Sequence, residues 1–207
     1  MNDSLFSSKN TVIELIMNLN QPTEVKHKLI DYLVNETNFF TTPLTTRFEY
    51  SYEGGLLDYC LSVYNNLMGL INSGFSKNTY NDDTLIIVSL FHTLYKIDMY
   101  KAVSKNVKVY CQDGNKIDEL GHFNWEAQLI YDYNYDKTTN NYGDNGFTNY
   151  MIISRFLPLT EDEILAIKYF NLWEESKPFD NDTWRLVREH PLVSLLHCAI
   201  TLTLTNE

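Results

Sequence analysis

Residues 83–95 read DTLIIVSLFHTLY, and His92 is the sole histidine in this run. A segment that is apolar nearly all round is the pattern of a helix enclosed by other helices, because a surface helix keeps a polar face. The run therefore predicts a mainly α domain with this helix at its centre. Upstream, Leu56, Leu57, Cys60, Leu61, Tyr64, Leu67, Met68 and Ile71 recur at helical spacing, which predicts a five-turn amphipathic helix ending near Gly74. Residues 9–20 (KNTVIELIMNLN) and 24–35 (EVKHKLIDYLVN) predict two N-terminal helices. In the second, Val25, Leu29, Leu33 and Val34 face inward and His27 faces solvent. Residues 36–54, with Pro43 and the Gly54-Gly55 pair, read as a long polar connection.

Downstream the period changes. NVKVYCQDGNKID (106–118) alternates apolar and polar residues about Asp113-Gly114, which predicts a β-hairpin, with WEAQLIYDY (125–133) as a further strand. Helical patterning resumes near 147. Thr160 and Glu163 form a capping-box pair ahead of EDEILAIKYF, and two more helices are predicted at 181–188 and 191–204, the last starting at Pro191. The length favours one domain over 1–207, with N-terminal helices in 1–44 and a β-hairpin and loop insertion over 103–146.

The composition excludes several classes. Twenty-seven acidic against 16 basic residues give a net charge of −11 with no Lys/Arg stripe, so a nucleic-acid partner is not expected. No run approaches the roughly 18–20 apolar residues of a membrane span, and MNDSLFSSKN lacks a signal-peptide profile, so the expectation is a cytoplasmic protein with no membrane partner. Cys60, Cys111 and Cys198 are odd in number and widely spaced, a pattern of reduced thiols rather than of disulfides or a zinc site. The histidines form no HxxxH, HExxH or HD pair. His197 lies in an apolar run, His122 beside the hairpin, and His190 late in a helix, where an imidazolium suits the dipole.

Five stretches, in order, carry a resemblance: YEGGLLDYCLSVYNNL (52–67), LFHTLYKIDMYK (90–101), KNVKV (105–109), ISRFLPLTEDEILAIKYF (153–170) and HPLVSLLHCAI (190–200). Together they resemble the HD-domain metal-dependent phosphohydrolases, with the closest likeness to bacterial and phage-encoded members. The resemblance spans about residues 45–203 and implies an HD-domain-like helical bundle. It also implies where the metal ligands of that family would fall. A family histidine falls on Tyr59, the naming histidine-aspartate pair on His92 and Thr93, a third histidine nearest Asn145, a fourth on Phe170, and the last aspartate on Ile200. Of these only His92 keeps the ligand type.

Thr93 and Ile200 bring no charge, Phe170 no lone pair, and a tyrosine with a pKa of about 10 is a poor ligand at neutral pH. Losing the carboxylates together with the cation also avoids leaving an uncompensated acidic cluster inside. The expectation is therefore a pseudoenzyme without catalytic residues, metal or cofactor. On this reading His92, Lys96, Tyr59, Thr93, Tyr95, Asn145 and Arg155 line a pocket that binds and sequesters a nucleotide or nucleotide-derived signal. Lys96 stands where relatives place a lysine near substrate phosphate; as an alternative it is a solvated helix-end lysine. Arg155 reaches phosphate or pairs with a surface carboxylate. A second reading is a protein-interaction module with an inert pocket, using the acidic, Tyr-rich surface and the 103–146 insertion. A third is a phosphohydrolase with migrated ligands among His92, His122, Asp98, Asp58 and Asp144.

Overall fold

The computed structural model describes residues 3–136, 142–171 and 181–205. Its elements in chain order are α1 (Asp3–Asn18), α2 (Thr23–Asp31), a π-turn (Tyr32–Glu36), α3 (Gly55–Asn72), α4 (Asp82–Phe91), a 3-10 turn (Leu94–Lys96), β1 (Tyr100–Tyr110), β2 (Lys116–Asp118), β3 (Gly121–Tyr133), α5 (Asn145–Ile153), α6 (Glu161–Lys168), α7 (Asn181–Glu189) and α8 (Pro191–Thr205). The protein is mainly α, with a small antiparallel sheet. No described helix is long and apolar enough to cross a membrane.

The hub is α3, which packs against α8, α4 and α1, while α4 also meets α6 and α6 meets α5 and α8. Of its expected stripe, Leu56, Leu57, Cys60 and Leu67 are fully buried, whereas Leu61, Tyr64, Met68 and Ile71 are only partly buried and Val63, outside the expected set, is fully buried, because α8 and α4 flank the helix on two sides. Every residue of α4 from Thr84 to Phe91 is buried, so the run expected at the centre of the bundle is there. Each such Leu or Ile contributes about 1.5–3 kcal/mol relative to an exposed one. The Asn81 side chain caps α4 by accepting from Thr84 N at 2.8 Å.

Several boundaries differ from the sequence reading, each for an identifiable reason. α1 begins seven residues earlier than the Asn10-Thr11 signal, at Asp3, because Leu5 and Val12 both reach the core. The second helix ends at Asp31 and widens into the π-turn, which buries Tyr32 and Leu33. The 37–54 connection is not simply polar: Phe39, Phe40, Leu44 and Tyr50 are buried in the main core, and a loop that contributes this much apolar surface is part of the packing. Gly55 closes it, since a Cβ there would overlap the Tyr50 carbonyl.

The sheet also differs from expectation. β1 does not pair with β2 about Asp113-Gly114; it pairs with β3 along its whole length, Tyr100 opposite Tyr133 through Tyr110 opposite Phe123. β2 covers only the end of β3, with Lys116 opposite Phe123, so the order is β1-β3-β2. The result is a long ribbon whose contacts run mostly within itself. At its base the chain turns through Asp98 at φ 59, a left-handed conformation rare outside glycine, asparagine and aspartate. Two asparagines hold that corner: Asn38 Oδ1 accepts from Asp98 N at 2.7 Å, and Asn134 Nδ2 donates to Asp98 O at 3.2 Å.

The capping box of α6 forms as read, with the Thr160 hydroxyl accepting from Glu163 N and the Glu163 carboxylate accepting from Thr160 N. Glu163 is buried, and its other carboxylate oxygen accepts from the Thr84 hydroxyl at 2.7 Å. One residue thus caps α6 and ties it to α4.

Candidate functional site

His92 stands immediately after α4, at the point where the helix stops. In a continuing helix Tyr95 N and the His92 carbonyl would have intrahelical partners. Here the side chain of Asn149, from α5, takes both: its Oδ1 accepts from Tyr95 N at 2.7 Å and its Nδ2 donates to the His92 carbonyl. Asn149 is itself fully buried, and α5 comes close to α6 because Gly146 has no Cβ to overlap the Lys168 carbonyl. The predicted helix over 83–95 is therefore cut at residue 91 and continues only as the short 3-10 turn.

The His92 side chain is 0% exposed. Nδ1 donates to the Val88 carbonyl at 3.1 Å, which fixes the neutral tautomer, since a carbonyl only accepts. The ring lies between Tyr59 and Phe170, with ring centres 5.7 Å away on each side. Tyr59 in turn meets Tyr50 at 5.6 Å, and Phe170 meets Tyr95 at 5.7 Å. Nε2 is buried with no hydrogen-bond partner among the described residues. Burial pushes the imidazole pKa down to about 4, against a smaller upward pull from the Val88 and Ser89 backbone, so the ring is uncharged at neutral pH.

Thr93 pairs with Cys60 of α3. Its hydroxyl is 3.2 Å from Cys60 Sγ, and that thiol lies 3.7 Å from the Leu90 carbonyl. Burial pushes the Cys60 pKa up to about 12, so it stays a thiol and packs as a small apolar group. Ile200, on α8, is buried in the same core as Tyr59 and Phe170.

Tyr59, His92, Phe170 and, through Cys60, Thr93 are thus brought together, whereas other residues named from sequence lie elsewhere. Lys96 is half-buried and donates to the Tyr100 hydroxyl at 3.2 Å, with its ammonium over the Tyr95 and Tyr100 rings. Asn145 is exposed in the first turn of α5; the buried polar residue of that helix is Asn149, one turn on. Arg155 is exposed and stacks on Tyr32 of the π-turn and on Phe156 at 5.2 and 5.5 Å, apart from the ring partners of His92. Asn149 was legible as an asparagine amid the apolar residues of NGFTNYMII, but its two bonds depend on a segment 54 residues away.

The candidate migrated ligands do not converge. Asp58 accepts from the Ser8 and Tyr52 hydroxyls, Asp98 makes the corner before β1, Asp144 caps α5, and His122 on the ribbon donates to the Gly114 carbonyl. Among the described residues no three His, Cys, Asp or Glu side chains form a group able to hold a metal ion. The residues around His92, an aromatic pair, a threonine and a thiol paired to it, do not fit the divalent ion that the family resemblance implies. Two further histidines have structural partners: His190 Nδ1 is 2.6 Å from Asp162, and His197 Nδ1 is 3.4 Å from the Phe170 carbonyl.

Comparison of the chain with protein-family models, with curated proteins and with solved structures finds no match.

Proposed function

We propose that this chain is a non-catalytic relative of the HD-domain phosphohydrolases, that it acts by binding a protein, and that its working surface is the β ribbon. The observation that supports the reading is the burial of His92: an uncharged imidazole packed between Tyr59 and Phe170 has, among the described residues, no set of cation ligands around it and no exposed ring face. The ribbon offers the opposite surface, with Trp125, Leu129, Ile117 and Leu120 exposed. Isolated exposed apolar residues are ordinary, but several gathered on one projecting element are characteristic of contact sites.

A second reading, a binder of a nucleotide-type ligand, is favoured by the orphaned Nε2 of His92. A buried acceptor without a donor costs about 1–3 kcal/mol, which a guest N–H or O–H would recover.

Native mass spectrometry of the freshly purified chain, with and without added Mn²⁺, separates these readings. The expected spectrum shows only the chain mass or whole multiples of it. A stoichiometric adduct of a few hundred daltons that departs on denaturation would replace the first reading by the second. Stoichiometric Mn²⁺, together with turnover of a nucleoside phosphate, would overturn both.

A further inference from the structure

The ribbon is close to neutral on a strongly acidic chain. Residues 100–133 hold four lysines against five carboxylates, while the chain as a whole carries −11. Residues directly opposite in an antiparallel pair share a face. The register therefore places Ser104, Asn106, Lys108 and Tyr110 of β1 on one face with Leu129, Ala127, Trp125 and Phe123 of β3. Along β3 this face carries a ridge, with Leu129 71% and Trp125 48% exposed. Beside it on β1 runs a shallow exposed strip, Ser104 and Asn106. The charge on this face is small: the Lys108 ammonium is paired with Asp118 at 2.6 Å and lies 4.6 Å from the centre of the Phe123 ring, and the exposed Lys116 of β2, opposite Phe123, adds a lysine at the tip, beyond the Trp125–Leu129 ridge.

We propose that this face is the contact of a two-fold symmetric homodimer, in which the Trp125–Leu129 ridge of one copy fills the Ser104–Asn106 strip of the other. The relief of the face decides the symmetry axis. A two-fold running along the ribbon between its strands lays β3 of one copy over β1 of the other at the same level, with Leu129 above Ser104 and Ala127 above Asn106. A two-fold across the strands would set ridge on ridge. The contact is then isologous, the usual arrangement for a pair of identical chains.

Charge and area both fit a second copy. Two chains at −11 repel one another, and the near-neutral ribbon is where they approach at least cost, so screening by salt strengthens the association. The exposed parts of Tyr110, Trp125 and Leu129, together with the strip, amount to roughly 600 Å² per copy, or about 1,200 Å² in all, the lower end of specific interfaces. A reversible dimer follows rather than an obligate one.

This inference rests on the ribbon being the working surface, and its test is separate from the metal and nucleotide measurement above. Sedimentation equilibrium of the full chain is expected to show a monomer–dimer equilibrium that shifts toward dimer as salt is raised. Leu129→Lys removes the ridge, and Ser104→Arg fills the strip. Each is expected to weaken dimerisation at least about ten-fold, the scale of an interface hot spot, with the far-UV circular dichroism unchanged because both positions are exposed. A wild type that stays monomeric at every concentration would overturn the proposal and assign the ribbon to a different protein. A dimer that survives both substitutions would also overturn it, by excluding this face.

Discussion

Two clusters of aromatic side chains sit at opposite extremes of exposure. Around His92 the rings of Tyr50, Tyr59 and Phe170 are buried inside the bundle, and the chain of contacts ends at the half-buried Tyr95. On the ribbon Tyr110, Phe123 and Trp125 form a similar chain, with centres 5.8 Å apart at each step, but Tyr110 and Trp125 remain about half in water. Ring chemistry does not separate them. The difference is what lies on the second face: a residue between α3, α4 and α6 has helices on every side, whereas a ribbon of two or three strands has a solvent face for each strand. The first cluster therefore stabilises the fold and excludes guests. The second has surface left to offer.

The comparison is tested most severely at Phe170. Phe170→Ala removes one wall of the His92 cluster and is expected to destabilise the chain by about 4 kcal/mol in urea unfolding, the usual cost of truncating a buried phenylalanine. A loss below about 1 kcal/mol would mean that the site is already loose, and would restore it as a binding pocket.

Acid is the next test. The folded His92 pKa of about 4 lies below the ordinary value of 6.5, so below pH 6.5 the unfolded chain takes up the proton first. The histidine's contribution is fully present above pH 6.5, is lost as pH falls toward 4 and levels off below that, with a total of about 3 kcal/mol. The His92→Asn variant keeps a donor for Val88 and has nothing to titrate. Its stability is expected to fall less than that of the wild type between pH 7 and 4, and equal acid slopes would contradict an uncharged, sealed imidazole.

The smallest effect belongs to the ribbon. Trp125→Ala is expected to change unfolding stability by less than about 1 kcal/mol, because the side chain is already half exposed. A loss as large as that of Phe170→Ala would make the ribbon tip part of the structural core and erase the contrast between the two clusters.

Much of the bundle was legible because its signals are local. The helix of α3, the buried apolar run of α4, the Thr160/Glu163 box and Pro191 at the start of α8 each rest on signals within a few turns of chain, and each element is present, although α4 stops at Phe91 rather than at Tyr95. What failed to show was every feature that needs a distant partner. The pairing of β1 with β3 joins residues 13 to 33 positions apart, and the local turn at Asp113-Gly114 pointed to the nearer strand. The end of α4 depends on Asn149, and the burial of Phe39 and Tyr50 depends on the core that the 37–54 connection covers.

The candidate site divides in the same way. The sequence by itself determined its chemistry: Tyr59, Thr93, Phe170 and Ile200 offer no set of ligands to a divalent ion, whatever the chain's shape, because coordination needs lone pairs and charge that these side chains lack at neutral pH. Only the tertiary structure decided that Tyr59 and Phe170 close over His92, that Asn145 and Arg155 stand outside, and that a ribbon face stays open. Exposure is a property of what packs against a residue, and that packing is set by helices and strands brought together from far along the chain.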